Sequence, residues 1–376
     1  MDNLTHSLVG LAAAKAGLGR VSPYATFVCV AAANLPDIDI VSLAGGPAFY
    51  LQHHRGITHS IVGTLALAVA FPLLFYAAER LWARARGREP RARLKGLLLC
   101  SLLLSATHPL LDWTNSYGVR PFLPWNDRWI YGDLLYVVDP LVLLVLGGAC
   151  FLLAKSRRGV VVWGVLALFI TLLFFLVASR PEANVRGGAL VVWCAGLAAF
   201  FVMRLKGSGA RFGRKLAVSA LALIVLYCGA VSVVQVRARR LAEAAAADMA
   251  GRRDERVVRV AATPMLADPL AWRCVADADR STFRFDMRLG AERSENLRDV
   301  VSFDKPSGEA EEIVRRASGD YAARVLLGFA RFPVARVLRA DSGGWVVQFA
   351  DLRFTEPGAR ARVGGFALDV PVSNTP

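Results

Sequence analysis

Long apolar runs alternate with short polar connections over the first 236 residues, and then the pattern stops. Two shorter apolar segments, at about 5–18 and 22–35, come first. Glycine and proline near residues 17–23 predict that these two segments form a helical hairpin. Six runs close to the roughly 20 residues that cross a bilayer follow, at about 58–80, 95–113, 134–154, 159–179, 187–203 and 214–235. We therefore expect a mainly α-helical membrane bundle made of the hairpin and about six transmembrane helices.

Residues 237–376 contain no such run and predict a small extramembrane α+β domain. The alanine-rich stretch 238–255 predicts a helix, and 311–333 predicts a helix or a helix pair. Alternating apolar and polar residues predict antiparallel strands at 282–290, 344–354 and 364–372. The proline-bearing stretch 262–275 is interpreted as a loop, either over the membrane site or a plain connector. The predicted domains are 1–236, with its motifs within 1–140, and 237–376.

The net charge of +15 is divided unevenly along the chain. Residues 1–236 carry 22 Lys/Arg against 10 Asp/Glu, and residues 237–376 carry 23 against 20, so +12 of the excess belongs to the membrane part. Basic residues concentrated between apolar runs indicate membrane topology and disfavour a nucleic-acid partner. The 55% share of hydrophobic residues likewise excludes an ordinary soluble enzyme.

Basic and less basic loops alternate between the predicted spans. The loops 79–95, 155–159 and 204–215 hold seven, three and five basic residues, whereas 114–133 and 180–186 hold two each. By the positive-inside rule the first set faces the cytoplasm. Segments 53–59 and 108–139 and the C-terminal domain are then expected on the outer face, although the basic run 237–240 argues mildly against this orientation.

All the histidines lie in the first 108 residues, near the ends of apolar segments that this topology places at the outer face. They are His6, His53, His54, His59 and His108. Acidic residues of the same segments accompany them: Asp37, Asp39, Asp112, Asp127, Asp133 and Asp139. Ionisable groups at membrane depth are costly unless they are paired or bound to a ligand, so the group predicts a functional site.

The spacing of His108 and Asp112 places both side chains on one face of a helix. The hairpin brings His6 to the depth of Asp37, and His59 precedes an apolar run that Ser60 or Thr58 can cap. These five residues are the predicted metal ligands, for one divalent ion or for two ions bridged by Asp112. Each residue alone also has an ordinary structural interpretation, such as an imidazole–carboxylate hydrogen bond at a helix end.

Imidazole and carboxylate ligands without thiolate favour zinc, with manganese and iron left open. A metal site of this kind at the membrane surface suits hydrolysis of a phosphoester in a lipid or polyprenyl phosphate. Asp37 is then the predicted base and Arg55 the guanidinium for the phosphate, assisted by His54 or His53. Further predicted contributors to the site, as supporting groups or additional ligands, are Asp39, Asn115, Asp133 and Asp139.

Two alternatives stay open at this point. Asp139 precedes Pro140 and could simply begin a helix. The whole cluster could line the pathway of a metal-coupled or proton-coupled transporter, although the runs 159–179, 187–203 and 214–235 hold almost no polar residues. The sequence contains neither a His-Glu-x-x-His motif nor a Gly-x-Ser-x-Gly elbow, which disfavours zincin proteases and serine hydrolases. Nothing in it specifies an oligomeric state.

Four motifs that occur in order within residues 1–150 resemble a known family. They are NLTHSLVG, NLPDID, HHRGITHS and THPLLDWTNSYG. Together they resemble the YdjM-like, LexA-regulated, membrane-bound metal-dependent hydrolases of bacteria. The resemblance implies metal-dependent hydrolase activity and a location in the inner membrane, and it does not specify a substrate.

The order of the predicted ligands is also similar, more distantly, to that of zinc-dependent phospholipases C and P1-type nucleases. In that family the positions matching His6, His59 and His108-x-x-x-Asp112 bind zinc, and the position matching Asp37 is a base or a ligand. Those enzymes also use a later His-x-x-x-Glu, whereas this chain has no histidine after 108. The resemblance therefore implies either one metal fewer or replacement ligands at Asp133 and Asp139.

Overall fold

The computed structural model describes residues 1–180, 185–290, 297–340, 343–358 and 366–373. The predicted outer loop 180–186 lies largely outside this part. The helices are α1 (Asn3–Ala16), α2 (Ala25–Asn34), α3 (Pro47–His53), α4 (Ile61–Ala85), α5 (Leu94–Trp113), α6 (Pro140–Leu152), α7 (Arg157–Ala178), α8 (Gly187–Leu205), α9 (Ser208–Phe212), α10 (Arg214–Gly251), α11 (Glu309–Ala317) and α12 (Tyr321–Phe329). The strands are β1 (Val257–Met265), β2 (Asp268–Ala278), β3 (Ser281–Arg288), β4 (Leu297–Asp304), β5 (Pro333–Arg339), β6 (Trp345–Asp351) and β7 (Ala367–Val372).

Within the described residues, six helical segments are long and apolar enough to cross a membrane. They are Ala25–Gly45, Ile61–Ala85, Leu94–Trp113, Arg157–Ala178, Gly187–Leu205 and Arg214–Gly251. This finding, together with the small antiparallel sheets of the C-terminal part, confirms the predicted fold class. It identifies the chain as a multi-pass membrane protein.

Two of the predicted apolar runs differ from the observed helices. The run 134–154 contains only the 13-residue helix α6, because the Asp139 side chain accepts hydrogen bonds from the N–H groups of Leu141 (2.9 Å) and Val142 (3.1 Å) and begins the helix there. The second arm of the hairpin is longer than predicted, since α2 continues into a 3-10 segment, Leu35–Gly45, and reaches spanning length. Helix α10 joins the predicted span 214–235 to most of the predicted helix 238–255.

Contacts divide the chain into two compact units. The first contains Met1–Ile38, Ile57–Ser232 and Met265–Pro269, and the second contains Asp39–Gly56, Val233–Pro264 and Leu270–Pro376. Residues 39–56 therefore group with the C-terminal part of the chain, although in the sequence they lie between two membrane helices.

The hairpin of α1 and α2 is the close-packed centre of the first unit. It turns at Gly17, whose φ of 146° favours glycine, through a short 3-10 segment, Leu18–Arg20. A Cβ added to Gly10 would lie 2.6 Å from the carbonyl oxygen of Cys29, so only glycine allows the two helices to approach this closely. Helix α5 packs on α2, where the Ser105 hydroxyl donates a hydrogen bond to the carbonyl of Ala32 (3.2 Å).

The second unit contains two antiparallel sheets, one in the order β1-β2-β3-β4 and one in the order β5-β6-β7. Their buried faces share one core of Ala261, Val275, Phe332, Val334, Ala350, Leu352 and Ala367. The predicted strands around 282–290, 344–354 and 364–372 correspond to β3, β6 and β7, and the predicted helix pair to α11 and α12. The interpretation of 262–275 as a loop is wrong, since these residues form most of the β1–β2 hairpin, which turns at Ala267 with φ of 57°.

Helix α3, from the segment 39–56, packs on α12 within the second unit. The Tyr321 hydroxyl at the start of α12 donates a hydrogen bond to the Gln52 side-chain oxygen at 2.8 Å. This contact fixes the end of α3 immediately before the histidine pair His53 and His54.

Replacement of Gly10 by valine should destabilise the hairpin, because the new side chain would collide with the backbone of α2. We expect a loss of about 1–3 kcal/mol, typical of overpacking, measured as a lower midpoint in thermal unfolding of the detergent-solubilised protein. Gly229 is the matched control, since a Cβ there meets nothing within 4 Å. Equal midpoints for Gly10→Val and Gly229→Val would contradict the assigned packing.

Candidate metal centre

Two of the predicted ligands come from the last turns of α5. His108 and Asp112 are both buried, and His108 Nε2 lies 3.5 Å from Asp112 Oδ2. The i, i+4 spacing produces this arrangement, as the sequence predicts. Pro109 stands between them inside a continuous helix.

Asp37 and His59 complete a compact group with this pair. Asp37 lies in the 3-10 segment after α2, and His59 ends a short 3-10 turn that precedes α4, whose cap is the Ser60 hydroxyl. One ligand atom from each of Asp37, His59, His108 and Asp112 can be chosen so that all lie within 4.8 Å of one another. The structure thus brings together side chains from three separate segments.

The distances inside this group have the size expected around one metal ion. His59 Nε2 lies 3.3 Å from Asp37 Oδ1 and 3.2 Å from Asp112 Oδ2. His108 Nε2 lies 3.3 Å and 3.5 Å from the same two oxygens. Zinc bonds of about 2.0–2.2 Å at tetrahedral angles place neighbouring ligand atoms about 3.3–3.6 Å apart. The four nitrogen–oxygen distances therefore fit two imidazoles and two carboxylates around one ion.

A backbone carbonyl fixes the orientation of the His108 ring. His108 Nδ1 lies 2.6 Å from the carbonyl oxygen of Ala33, the residue before the last of α2. Since a carbonyl only accepts hydrogen bonds, Nδ1 carries a proton, and Nε2 is the nitrogen that faces the group. His108 Nε2 is buried and makes no hydrogen bond to a residue that the structure describes. A group of imidazoles and carboxylates that includes a buried nitrogen without a hydrogen bond fits a metal ion.

His6 lies on the other side of Asp112. Its Nε2 is 3.4 Å from Asp112 Oδ1, its ring stacks on that of His108 with centroids 3.7 Å apart, and the α-amino group of Met1 also contacts Asp112 Oδ1. In the described part of the chain, neither ring nitrogen of His6 makes a hydrogen bond. The two oxygens of Asp112 therefore face different partners, Oδ2 towards His59 and His108 and Oδ1 towards His6.

The other predicted residues around Arg55 belong to the second unit. His54 Nδ1 lies 3.0 Å from Asp39 Oδ1, and the Arg55 backbone N–H donates to Asp39 Oδ2 at 2.9 Å. Arg55 is buried and has φ of 53°, a left-handed conformation that costs free energy in a residue other than glycine. Asp39 therefore holds the turn that carries His54 and Arg55. His53 is exposed, and its Nδ1 lies 2.8 Å from the Phe49 carbonyl oxygen.

Three further predicted residues lie in the connection between α5 and α6 and have structural contacts. Asn115 is buried and its side-chain oxygen accepts a hydrogen bond from the N–H of Tyr117 (2.9 Å). Asp133 is buried at a left-handed φ of 52°. Asp139 caps α6 and also accepts a hydrogen bond from the Tyr227 hydroxyl (3.1 Å). A metal-binding role for any of them stays a prediction.

Sequence reasoning missed two groups that orient the ligands. The Ala33 carbonyl carries no side-chain signal, and only the packing of α2 on α5 places it beside His108. The sequence allows Ser60 or Thr58 to cap α4; the cap is Ser60, and the Thr58 hydroxyl lies 3.1 Å from His59 Nδ1. A metal-binding histidine usually has a hydrogen-bond partner at its second ring nitrogen, so a search for polar neighbours of His59 could have found Thr58.

The fold and this group define a class of protein, the multi-pass membrane proteins whose helices surround side chains suited to bind a metal ion. Residues 1–182 match the model of the family described as YdjM inner membrane protein. This match over the first 182 residues confirms the resemblance to the YdjM family seen in the motifs, and it supports an inner-membrane location.

One curated relative is the uncharacterized protein YfhP of Bacillus subtilis (strain 168), which is 29% identical over 154 residues. The match covers 38% of this chain and 43% of that protein, so less than half of the relative's length is shared. No solved structure matches the chain significantly.

Replacement of His108 by alanine should abolish stoichiometric metal binding, because it removes one of four ligands and the ring that stacks on His6. We expect purified wild-type protein to retain about one or two ions per chain and His108→Ala to retain at most a small fraction, measured by elemental mass spectrometry. His53→Ala is the control and should keep the wild-type amount. Equal metal content in the two variants would rule out this centre.

Proposed function

We propose that the group formed by His6, Asp37, His59, His108 and Asp112 is the active site of a metal-dependent hydrolase. The observation that carries the proposal is the set of four nitrogen–oxygen distances of 3.2–3.5 Å among His59, His108, Asp37 and Asp112. Two imidazoles and two carboxylates favour zinc, with manganese or iron as alternatives. When bound, such an ion polarises a phosphoryl oxygen and makes water acidic enough to attack at neutral pH.

The proposed substrate is a phosphoester of a lipid or polyprenyl phosphate, and the proposed reaction site is the outer face of the inner membrane. The ligands stand at the ends of apolar segments, where the polar linkage of a membrane lipid lies and where a soluble polymer has poor access. The basic loops at the opposite ends of the same helices support this orientation.

Asp37 is the proposed base. Its side chain is 13% exposed, whereas those of His59, His108 and Asp112 are at most 1% exposed, so Asp37 is the member of the group that substrate and water can reach. Asp37 Oδ1 faces the two imidazoles, which leaves Oδ2 to accept a proton from attacking water. Asp112, with Oδ1 and Oδ2 directed to different partners, is suited to bridge a second ion on the side of His6.

Arg55 is the proposed contact for the phosphate. It is a buried guanidinium in a strained turn that Asp39 holds, and it stands four residues before His59 in the sequence. A guanidinium matches the geometry of phosphate oxygens and stabilises charge that develops on them. His54, hydrogen-bonded to Asp39, is the proposed proton carrier.

Asp37→Asn should lower kcat by about 100-fold or more, because the amide retains a ligand oxygen but cannot accept a proton. The measurement is release of inorganic phosphate from polyprenyl phosphate and of headgroup from lipid phosphodiesters, with metal content determined in parallel. Wild-type kcat in a metal-loaded Asp37→Asn protein would overturn the assignment of the base. Metal flux into proteoliposomes without turnover of any substrate would instead support the transporter.

Arg55→Lys should reduce kcat/KM about 100-fold, since lysine keeps the charge but loses the two parallel hydrogen bonds to phosphate. Arg128 in the connection between α5 and α6 is exposed and serves as the matched control, for which Arg128→Lys should leave kcat/KM unchanged. Metal content should equal that of the wild type in both variants. Equal kcat/KM in all three proteins would remove Arg55 from the mechanism.

A further inference from the structure

A cavity of about 470 Å³ lies among α1, α6, α7 and α8 in the first unit. Its volume is within the range of small-molecule sites. The lining is apolar, with Leu8, Leu143, Phe151 and Phe201 among its residues. Two polar side chains of its wall are paired, because Trp193 Nε1 donates to the Thr171 hydroxyl (2.9 Å), which donates to the Ala167 carbonyl (2.7 Å). The cavity therefore suits a hydrocarbon chain.

Four glycines shape this cavity: two allow neighbouring helices to pack closely, and two border empty space. A Cβ added to Gly148 would lie 2.4 Å from the Phe200 ring, and one added to Gly196 would lie 2.4 Å from Leu144, so these two glycines let α6 and α8 pack closely. By contrast, a Cβ at Gly147 or Gly164 meets nothing within 4 Å, although both residues line the cavity. The space at these two positions is free of protein atoms, and an unfilled space would forgo dispersion contacts of the surrounding side chains.

The two ends of α6 carry opposite charge. Asp139 begins the helix, four residues before Leu143 in the cavity wall. At the other end the Arg204 guanidinium donates to the carbonyls of Phe151 (2.8 Å) and Ala154 (3.0 Å), and Lys15 Nζ lies 3.4 Å from the Leu153 carbonyl oxygen. The cavity therefore has an acidic end and a basic end.

Further cations extend the basic end, and they are exposed. Lys155, Arg157 and Arg158 follow α6 directly. Gly164 in the cavity wall lies six residues after Arg158 on α7, which is about 9 Å along the helix axis. A phosphate held by these side chains can therefore belong to the same molecule as a chain in the cavity, and the acidic end of α6 disfavours the opposite orientation.

We propose that this cavity binds one acyl chain of an anionic phospholipid whose phosphate lies against Lys155, Arg157 and Arg158. Basic pockets between membrane helices are known to bind anionic headgroups. The site does not depend on the proposed hydrolase, because the headgroup lies at the end of the helices opposite to His108 and Asp112. The lipid would fill the wall of the bundle as a structural component.

Native mass spectrometry of the full-length protein, released from micelles containing phosphatidylglycerol and phosphatidylcholine, tests the proposal. We expect the wild type to retain one phosphatidylglycerol. Gly147→Leu combined with Gly164→Leu fills the cavity and should reduce retention more than about tenfold, because several methylene groups lose their site. The control Gly229→Leu introduces the same side chain into a membrane helix outside the cavity and should retain the lipid. Retention equal to wild type in the filled variant would overturn the proposal.

Two further variants separate the parts of the site. Replacement of Lys155, Arg157 and Arg158 by glutamine should lower the preference for phosphatidylglycerol by about fivefold for each charge removed, and an unchanged preference would overturn the assigned headgroup position. Asp112→Asn should retain phosphatidylglycerol as the wild type does. Loss of the lipid in Asp112→Asn would overturn the proposal by showing that the acyl chain belongs to a molecule held at the metal centre.

A milder variant covers the case in which the leucine variant fails to fold. Gly147→Ala with Gly164→Ala should show a smaller but measurable loss of the lipid, and full retention there would likewise count against the site.

Discussion

The structure depends on one electrostatic constraint, which is that three imidazoles and two carboxylates lie close together and almost out of contact with water. Burial of a carboxylate costs several kcal/mol or more unless a positive charge or hydrogen bonds offset it, and a buried imidazole nitrogen such as Nε2 of His108, which makes no hydrogen bond to a described residue, adds to that cost. A divalent cation would offset both costs, because it could bind the carboxylate oxygens and the imidazole nitrogens at once. The close packing of α1, α2 and α5 is the framework that holds most of these groups at matching distances, and Gly10 and the Ala33 carbonyl make two of its close contacts.

One candidate ligand, His59, and the strained turn at Arg55 share one short sequence motif but have different local supports. In HHRGITHS, His59 is oriented by Thr58 and precedes the capped start of α4, whereas His54 and the backbone of Arg55 are held by Asp39. The second group belongs to the compact unit of the sheets, in which α3 packs on α12. The motif therefore joins a candidate ligand of the first unit to a segment that packs on α12 in the second unit.

Much of this arrangement can be predicted from the sequence, because hydropathy and helical spacing are local signals. The i, i+4 relation of His108 and Asp112 and the turn of the hairpin need no tertiary information. The length of α6 is set by the capping hydrogen bonds of Asp139. The sequence alone does not decide between this structural role and a functional role for Asp139. The Ala33 carbonyl and the association of residues 39–56 with α12 are consequences of packing, and no residue type marks them. The β1–β2 hairpin was missed because prolines at 264 and 269 resemble loop signals, although they stand near the turn, where strands tolerate them.

The distribution of the ligands along the chain has a consequence for assembly. Positions 6, 37, 59, 108 and 112 all fall in the first third of the protein, and the later helices α7, α8 and α10 supply none of them. A metal ion bound there would cross-link the hairpin, the start of α4 and the end of α5 in the way a disulfide closes loops, with the longest loop exceeding one hundred residues. The centre could thus form as soon as α5 has entered the membrane, which would make metal supply during synthesis a determinant of how the first helices associate.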